Sequence, residues 1–364
     1  MYENKDNDSP IAPELIQWYR IHKRDLPWRH TADPYRIWIS EIILQQTRVA
    51  QGLDYYIRFI SRFPDIVSLA EADNDEVMKY WQGLGYYSRA RNLHAAARFM
   101  AEKYAGRFPK TYKEVLGLKG IGEYTAAAIC SFSYGLPYAT VDGNVYRVLS
   151  RLFAIDTPID STQGKKLFSG LANELLDRKN PGEYNQALME FGALHCLPRS
   201  PKCNECPLSG KCLAYAEGQT EKYPLKQTKA IVKPRYFNYF HIILEDKTWI
   251  HRRNGNDIWR NLYEFPLIES DREMNLDEIQ KTPGYKELFT GINTLYIQSI
   301  PYVCRHVLSH RIINAKFYTI YISCSGEHLD AYKCIENSSI GDYAVARLTE
   351  SYLEKVWQDI LSKK

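Results

Sequence analysis

The chain has 364 residues, of which 45% are hydrophobic and 25% charged, a composition typical of folded proteins and a length sufficient for two domains. Its apolar runs fall well short of the roughly 20 residues that span a bilayer, and the polar start MYENKDNDSP lacks the features of a secretion or organelle signal, so we expect a cytosolic protein. Because the net charge is only +4, a nucleic-acid partner is permitted but not required.

The first predicted elements along the chain are helices. From residue 12 to about 216, apolar residues recur at helical spacing, and short turns with Gly or Pro, such as RFPD and GRFPKT, separate the segments. This pattern predicts an all-α N-terminal domain, which we assign to residues 1–216.

Glu41 lies among apolar neighbours in the predicted helix RIWISEIILQQT. Partial burial would raise the pKa of its carboxyl group, which suits an acid that must hold a proton near neutral pH. The spacing of Glu41, Gln45 and Arg48 fits a solvated stripe of the helix equally well. The pattern alone leaves both interpretations open.

Two glycines precede a helix in the stretch LKGIGEYTAAAIC. Gly120 and Gly122 allow a tight turn, and the N–H groups at the helix start, whose first turn holds Thr125, can bind a phosphate oxygen. The pattern is typical of a helix-hairpin-helix DNA-binding element. An ordinary glycine connector has the same composition and remains the alternative.

Asp142 precedes the amphipathic helix that the stretch VDGNVYRVLSRL predicts. Its position favours an N-cap, and a helix start also keeps a carboxylate ionised. An ionised carboxylate beside a sugar can stabilise an oxocarbenium ion, as in glycoside hydrolysis. The sequence leaves the structural and the catalytic role open.

Four of the eight cysteines lie in CLPRSPKCNECPLSGKC with the spacing CX6CX2CX5C. In a cytosolic protein, such a cluster favours a metal centre over disulfides. Zinc ribbons usually carry two CX2C knuckles and this loop has one, so the spacing favours a [4Fe-4S] cluster over zinc. The ligands would be Cys196, Cys203, Cys206 and Cys212. Basic residues of the same loop face either phosphates or solvent.

The sequence pattern of the second half of the chain differs from that of the first. Residues 217–236, EGQTEKYPLKQTKAIVKPRY, predict an extended basic interdomain linker. After it, YFNYFHIILEDKTWIHRRN predicts two strands joined by a turn, KFYTIYISC a further strand, and NLDEIQKTPGYKELF helical structure. Residues 237–364 are therefore predicted to form a smaller α/β domain.

Several of these motifs together carry a family resemblance. LKGIGEYTA, VDGNVYRV and the four-cysteine loop resemble the helix-hairpin-helix DNA glycosylases related to endonuclease III. Within that group, SEIILQQT, GLGYYSRARNL, VDGNV and the additional C-terminal domain resemble the A/G-specific adenine DNA glycosylases. The resemblance covers essentially the whole catalytic half and covers the C-terminal half loosely. It implies a monomer that acts on duplex DNA.

The resemblance implies roles for three residues of the catalytic half. Glu41 would protonate N7 of the flipped adenine, Asp142 would stabilise the sugar cation, and Asn144 would help to order the site. Bifunctional relatives have a lysine where this chain has Tyr124, and a phenol cannot form a Schiff base. Tyr124 therefore predicts a monofunctional glycosylase, in which it could assist Glu41.

Base excision requires that the adenine leave the stack and that other side chains fill the gap. Gln46 and Tyr86 match the family's wedge positions, and Arg29 and Gln186 are candidates for hydrogen bonds to adenine. The structural alternatives are packing in an aromatic turn for Tyr86, a surface arginine for Arg29 and a helix-face amide for Gln186.

The stretch WIHRRNGNDIWRNLYEFPLIE resembles the start of the Nudix-like domain that family members append. The residues after Glu264 do not form the glutamate-rich helix of a Nudix hydrolase, so pyrophosphatase activity is not predicted. In the family a Phe-Ser-His loop recognises 8-oxoguanine, and here Leu308, Ser309 and His310 stand in its place. Leu308 keeps an apolar wedge without the ring; a turn between strands is the alternative for this tripeptide.

These expectations converge on one activity. The sequence predicts hydrolysis of the N-glycosidic bond of adenine mispaired with 8-oxoguanine or guanine in duplex DNA. Two alternatives remain: a bifunctional glycosylase and lyase of the endonuclease III type, and a non-catalytic iron-sulfur DNA-binding protein.

Overall fold

The computed structural model describes residues 9–227, 233–298, 300–308 and 311–361, with side chains up to Val356. These residues divide into two compact units. The first contains residues 9–71 and 92–227, and the second contains residues 72–91 and 233–361.

All regular elements in the described residues of the first unit are helices, which confirms the predicted all-α class. Among the described residues, no helix is both long and apolar enough to cross a membrane. α5 and the first turn of α6 belong to the second unit. The helices up to residue 216 are α1 (Ala12–His22), α2 (Pro34–Leu44), α3 (Val49–Arg62), α4 (Ile66–Glu71), α5 (Asn74–Trp81), α6 (Ser88–Tyr104), α7 (Tyr112–Leu116), α8 (Glu123–Tyr134), α9 (Gly143–Leu152), α10 (Thr162–Glu174), α11 (Pro181–Leu194) and α12 (Leu213–Ala216).

Local chemistry sets where α2 begins. The Asp33 carboxylate accepts a hydrogen bond from the Tyr35 backbone N–H at 3.0 Å, and Pro34 occupies the first helical position, where no N–H is needed. Eight of the eleven residues of α2 are buried, among them Glu41. The capped start therefore fixes the helix that carries the predicted acid.

The core of the first unit lies where α1, α9, α10 and α11 meet. Leu15, Val145, Leu149, Phe168 and Leu188 are all buried there. Burial of an aliphatic or Phe side chain contributes about 1.5–3 kcal/mol. This packing holds α1, α9 and α11 together, although their residues are far apart in the sequence.

The second unit is built on an eight-stranded mixed sheet, which confirms the predicted α/β class. β1 runs parallel to β7 and antiparallel to β2 and β4, and β5 and β6 pair with the other edge of β7. The strands are β1 (Lys233–Leu244), β2 (Lys247–Arg252), β3 (Tyr263–Glu264), β4 (Leu267–Ser270), β5 (Asn293–Ile297), β6 (Tyr302–Val307), β7 (Arg311–Cys324) and β8 (Lys333–Glu336), and the helices are α13 (Leu276–Gln280), α14 (Pro283–Leu288) and α15 (Arg347–Leu361).

The segment 72–91 packs with this sheet, which the sequence did not indicate. The Tyr263 hydroxyl donates to Asp75 Oδ2 at 2.8 Å, and Gln82 Nε2 donates to Glu350 Oε1 at 2.9 Å. Residues from the middle of the predicted N-terminal domain thus belong to the C-terminal unit.

The linker predicted at residues 217–236 differs from the structure at both ends. Arg151 Nε donates to the Thr220 carbonyl at 2.8 Å, and Tyr223 is buried, so residues 217–227 pack with the first unit. At the other end β1 begins at Lys233. The basic composition of this stretch therefore does not mark an extended chain over its described residues, because partners elsewhere in the chain order it.

Candidate active site

Glu41 is buried, with only 8% of its surface exposed. Burial, with a smaller contribution from the nearby Asp142 carboxylate, raises the pKa of Glu41 to about 7 against the opposing hydrogen bond from Tyr124. The solvated-stripe interpretation of Glu41 is therefore wrong. A carboxyl group with this pKa holds a proton near neutral pH.

Tyr124 directly contacts Glu41. Its hydroxyl donates to Glu41 Oε2 at 2.8 Å, and burial raises the pKa of the phenol well above its ordinary value. Tyr124 therefore keeps its proton and acts as a donor. This hydrogen bond would stabilise the carboxylate of a deprotonated Glu41. It would orient the carboxyl group of a protonated Glu41.

Asp142 is the N-cap of α9. Its Oδ1 accepts from the backbone N–H groups of Asn144 at 2.9 Å and Val145 at 2.7 Å, and its Oδ2 accepts from Asn144 Nδ2 at 2.8 Å. Burial raises the pKa of Asp142, while these hydrogen bonds lower it. The capping role is confirmed, and it leaves the carboxylate in a buried polar setting beside Glu41.

One cavity of about 580 Å³ brings the predicted chemical groups together. This volume lies within the range of small-molecule and cofactor sites. Six of the residues predicted from the sequence line it: Arg29, Glu41, Tyr124, Asp142, Asn144 and Gln186.

Arg29 is not a surface arginine. Its Nη1 and Nη2 atoms donate to Glu190 Oε1 and Oε2 at 2.8 and 2.6 Å, and Arg24 makes a second two-bond pair with the same carboxylate. Although burial raises it, the hydrogen bonds from Arg24 and Arg29 lower the pKa of Glu190 to about 2. One carboxylate therefore orders two guanidinium groups at the cavity wall.

The sequence analysis missed Tyr19, Arg24 and Glu190. Tyr19 donates to Gln186 Oε1 at 2.6 Å, and Glu190 follows Gln186 by four residues on the same face of α11. The helical spacing of Gln186 and Glu190 was visible in the sequence. Their partners on α1 and in the segment that follows it were not.

The predicted hairpin is present between α7 and α8. Gly120 has φ +82°, and a Cβ there would meet the Asn92 side chain at 2.6 Å, whereas Gly122, at the N-cap of α8, faces open space. Thr125 is buried, and its hydroxyl accepts from Gln45 Nε2 at 3.2 Å. The Thr125 side chain thus points away from solvent, so a phosphate contact at this residue stays a prediction for its backbone N–H alone.

The two predicted wedge residues share an unusual backbone conformation. Gln46 has φ +58° and Tyr86 has φ +46°, and both side chains are exposed, Tyr86 by 46%. Non-glycine residues in this region are strained and are enriched at functional sites. Gln46 belongs to the first unit and Tyr86 to the second.

Arg89 supports the turn that presents Tyr86. Its guanidinium lies 5.3 Å from the Trp81 ring centroid and 5.5 Å from that of Tyr86, and its Nη2 donates to the carbonyls of Leu84 and Gly85 at 3.3 Å. The Tyr86 ring therefore contacts the Arg89 guanidinium and is not part of a hydrophobic core.

The four clustered cysteines line one cavity of about 30 Å³. Within the part of the chain that the structure describes, no three His, Cys, Asp or Glu side chains form a group that could hold a metal ion. The thiols therefore lie around one space, and the identity of a metal centre there stays a prediction.

Buried arginines connect this loop to the helix that Asp142 caps. Arg151 Nη1 lies 3.3 Å from Cys196 Sγ and donates to the Leu197 carbonyl at 2.6 Å, and Arg147 joins the Cys196 carbonyl to Asn144 Oδ1. The sequence analysis named neither arginine. Burial raises the pKa of Cys206 to about 11, so a bound metal would replace its thiol proton.

The basic residues of the cysteine loop divide into two groups. Lys211 donates to the Pro10 carbonyl at 2.6 Å and pairs with Glu14, which ties it to the N-terminal segment. Arg199 and Lys202 are exposed. Lys211 is exposed as well, but Glu14 balances its charge.

In the second unit, Leu308 directly follows β6, and its backbone N–H donates to the carbonyl of Arg311, the first residue of β7, at 2.8 Å. Ser309 and His310 lie outside the described residues. Leu308 and Tyr86 both line a cavity of about 560 Å³, together with Trp259. The two predicted lesion contacts of this unit thus border one space.

Glu264 has structural partners. Arg253 donates to both of its oxygens at 2.8 and 2.9 Å, and Tyr239 donates to Oε2 at 3.0 Å. The carboxylate is buried and its charge is balanced by Arg253. Its surroundings resemble a buried ion pair rather than a metal site.

Comparison with known proteins agrees with this architecture. Residues 39–173 match the family of HhH-GPD superfamily base excision DNA repair proteins, and residues 238–355 match the NUDIX domain family. These matches, with the helical fold and the carboxylates of the cavity, define the class: a base excision DNA repair glycosylase with an appended Nudix-like domain.

Comparison with individual relatives shows which family within this class the chain resembles. An adenine DNA glycosylase from Buchnera aphidicola subsp. Schizaphis graminum is 38% identical over 257 residues, which cover 70% of this chain and 74% of that protein. The adenine DNA glycosylase of Homo sapiens is 42% identical over 217 residues, 57% of this chain and 40% of that protein. The structure of a thermostable thymine-DNA glycosylase aligns with a TM-score of 0.53 and 32% identity over 57% of this chain and 95% of that one. The chain belongs to the adenine DNA glycosylase family.

Proposed function

We propose that this enzyme removes adenine paired with 8-oxoguanine or guanine in duplex DNA and that Glu41 and Asp142 are its catalytic residues. The observation that carries the proposal is the buried Glu41, hydrogen-bonded to Tyr124 in the same cavity as Asp142. An acid that holds a proton at neutral pH and a carboxylate held at a helix start are the two groups that N-glycoside hydrolysis requires.

The first step proceeds on an adenine that has left the stack. Glu41 donates its proton to N7 of the base, which converts adenine into a leaving group, and the Tyr124 hydroxyl stabilises the carboxylate that results. Bond cleavage leaves positive charge on the sugar.

Asp142 acts on that charge. Its capping hydrogen bonds oppose the rise in pKa that burial causes, and its carboxylate stabilises the oxocarbenium ion until water adds at C1′ and gives its proton to the Glu41 carboxylate. Asn144 holds Oδ2 of Asp142 and thereby fixes the direction of the carboxylate. The products are free adenine and an abasic site.

The reaction ends without strand cleavage. Tyr124 stands where bifunctional relatives have lysine, and the described residues place no lysine on the wall of this cavity. An endonuclease III-type lyase is therefore disfavoured, and the carboxylate pair disfavours a non-catalytic DNA-binding protein.

Gln46 and Tyr86 are proposed to enter the gap that the adenine leaves. Leu308, Ser309 and His310 are proposed to contact the 8-oxoguanine. The open backbone at Gly122 is proposed to receive a DNA phosphate.

A [4Fe-4S] cluster is the proposed cofactor, held by the four cysteines of the 196–212 loop. When bound, it would stabilise the loop and carry out no step of the hydrolysis. Arg151 would place its positive charge beside the thiolate of Cys196.

The test is adenine release from duplexes with 8-oxoguanine:A, G:A and T:A pairs under single-turnover conditions. We expect release from the first two and not from T:A, and we expect Glu41→Gln to slow release by at least about 100-fold. Mismatch binding by Glu41→Gln should persist within a few-fold. Unchanged release by this variant would overturn the assignment of Glu41.

A further inference from the structure

Tyr19 makes one polar contact that leads directly into the active-site cavity. It lies on α1, only 3% exposed, and its hydroxyl donates to Gln186 Oε1 on α11 at 2.6 Å. Gln186 lines the cavity that contains Glu41 and Asp142. The hydroxyl therefore holds one end of a side chain whose other end is available to a bound base.

The ring of Tyr19 is itself held in place. It is buried among the residues of the α1–α11 core, the Arg29 guanidinium lies 5.5 Å from its centroid, and Lys23 Nζ lies 5.3 Å from it. Burial raises the pKa of the phenol, so the hydroxyl remains a donor. In the hydrogen bond between Tyr19 and Gln186, the donor is therefore held rigidly.

Gln186, by contrast, is a flexible side chain with three rotatable bonds. It is half-buried, and among the described residues no acceptor for its Nε2 is found. An unanchored glutamine loses rotamer entropy when it binds a ligand, about 2 kcal/mol at most for such a side chain. The Tyr19 contact removes most of that freedom before the base arrives.

The other candidate for base recognition is anchored in the same way. Arg29 is held by two hydrogen bonds to the buried Glu190, which lies one helical turn after Gln186 on α11. Both side chains that face the base are thus held by residues outside the reacting groups.

We propose that Tyr19 is a positioning residue that holds the Gln186 amide in the orientation in which it contacts the extruded adenine. This inference rests on the proposed function, in which Gln186 contacts the base. Tyr19 does not touch the base and acts through Gln186 alone.

The test is a double-mutant cycle in the full-length protein with Tyr19→Phe, Gln186→Ala and the double variant. The substrate is a duplex with an 8-oxoguanine:A pair, and the measured quantities are the single-turnover rate with enzyme in excess and the Kd for the duplex. We expect Tyr19→Phe to lower the rate about three- to tenfold with the Kd unchanged within twofold, because one hydrogen bond is lost while the DNA contacts remain.

The double variant decides whether Tyr19 acts through Gln186. We expect its rate to equal that of Gln186→Ala alone within twofold. If the two losses multiply, Tyr19 acts independently of Gln186 and the proposal is wrong. A purely structural role predicts multiplication as well, so the cycle also separates positioning from general destabilisation.

Tyr35→Phe is the matched control. Tyr35 is similarly buried in the same unit, and its hydroxyl donates to the Phe63 carbonyl at 2.7 Å, but it does not line the cavity. We expect it to lower the thermal stability about as much as Tyr19→Phe and to leave the rate unchanged. An equal loss of rate in Tyr35→Phe would overturn the proposal.

Two results distinguish failure of the inference from failure of the proposed function. If wild type releases no adenine, the proposed function fails. If Gln186→Ala reduces the rate and Tyr19→Phe does not, the function stands and the role of Tyr19 is refuted.

Discussion

Glu41 and Tyr124 illustrate how burial alone changes the chemistry of a side chain. Glu41 lies on a helix with eight buried positions, and the phenol that meets it cannot ionise in the same setting. Because the low-polarity surroundings oppose charge, the carboxyl group holds its proton at the pH where the enzyme must act.

This residue should determine the pH dependence of the chemical step. The active form of Glu41 is protonated, and its pKa is raised to about 7, so the single-turnover rate should fall as pH rises through 7, about tenfold per unit above pH 8. A rate that stays constant between pH 7 and 9 would contradict the role of Glu41 as the acid.

The same shift has a consequence for stability. Between the ordinary pKa of a glutamate and about 7, the folded protein retains a proton that the unfolded chain has lost, so folding stability declines as pH rises through this window. At pH 8 we expect Glu41→Gln to raise the free energy of unfolding by about 1–3 kcal/mol. Thermal unfolding at pH 5 and pH 8 checks the sign: the difference should shrink at pH 5.

Tyr124 should decide between hydrolysis and lyase chemistry. We expect Tyr124→Lys to form a DNA adduct that borohydride traps, because an amine buried at this position would be largely deprotonated and able to attack C1′. Tyr124→Phe is the control and should give no adduct. Trapping of the wild type to the same extent would show that another amine performs the attack and that the enzyme is bifunctional.

The hairpin before α8 is the element in which backbone geometry matters most. Gly120 needs a positive φ and lies against Asn92, while Gly122 has an ordinary φ and open space. The two glycines therefore have different functions: one makes the turn and the other leaves room beside the helix start.

Alanine at each glycine separates these functions. We expect Gly120→Ala to lower the free energy of unfolding by about 1–3 kcal/mol, because it strains the backbone and displaces Asn92. We expect Gly122→Ala to leave stability within about 0.5 kcal/mol and to weaken DNA binding, measured as the Kd at fixed salt. If Gly122→Ala binds DNA as wild type does, no phosphate lies against this residue.

The helices that build the cavity show what an element contributes beyond its own sequence. α9 places Asp142 at its start and Arg147 and Arg151 along its length, so a single helix supports both the Asp142 carboxylate and the cysteine loop. α11 presents Gln186 and Glu190 on one face. Each element is regular, and the chemistry arises where elements meet.

At the scale of the whole molecule, the metal bound by the cysteine loop can be measured. We expect about four iron atoms per chain and absorbance near 400 nm in the purified protein, because the spacing CX6CX2CX5C favours a [4Fe-4S] cluster and the four cysteines line one cavity. Metal analysis checks this. One zinc per chain without iron would refute the cluster.

Much of the fold follows from local pattern. Helical spacing up to residue 216 and strand-like runs after residue 236 were sufficient to predict an all-α domain followed by an α/β domain. A turn between the first two strands was predicted at residues 245–247, and the structure places it at Glu245 and Asp246, with Lys247 already in β2.

The division of the chain into two compact units was harder to predict from the sequence. Residues 72–91 read as ordinary helix and turn, yet they pack with the sheet of the second unit through Asp75 and Gln82. Those contacts join residues about 190 and 270 positions apart, as Asp75–Tyr263 and Gln82–Glu350. No periodicity encodes such pairing, since each partner looks like a surface polar residue in its own segment.

The sequence by itself determined the helices and strands, the motifs and the candidate residues, including Glu41, Asp142, Tyr124 and the four cysteines. These features depend on the spacing of residues that are close in the sequence, so they can be recognised without a structure. The tertiary structure alone decided that Glu41 is buried, that Thr125 faces inward, and that Tyr19 holds Gln186 across 167 positions. Burial and hydrogen-bond partnership depend on which helices pack together, and packing brings distant residues into the low-polarity space where pKa values shift and side chains are held.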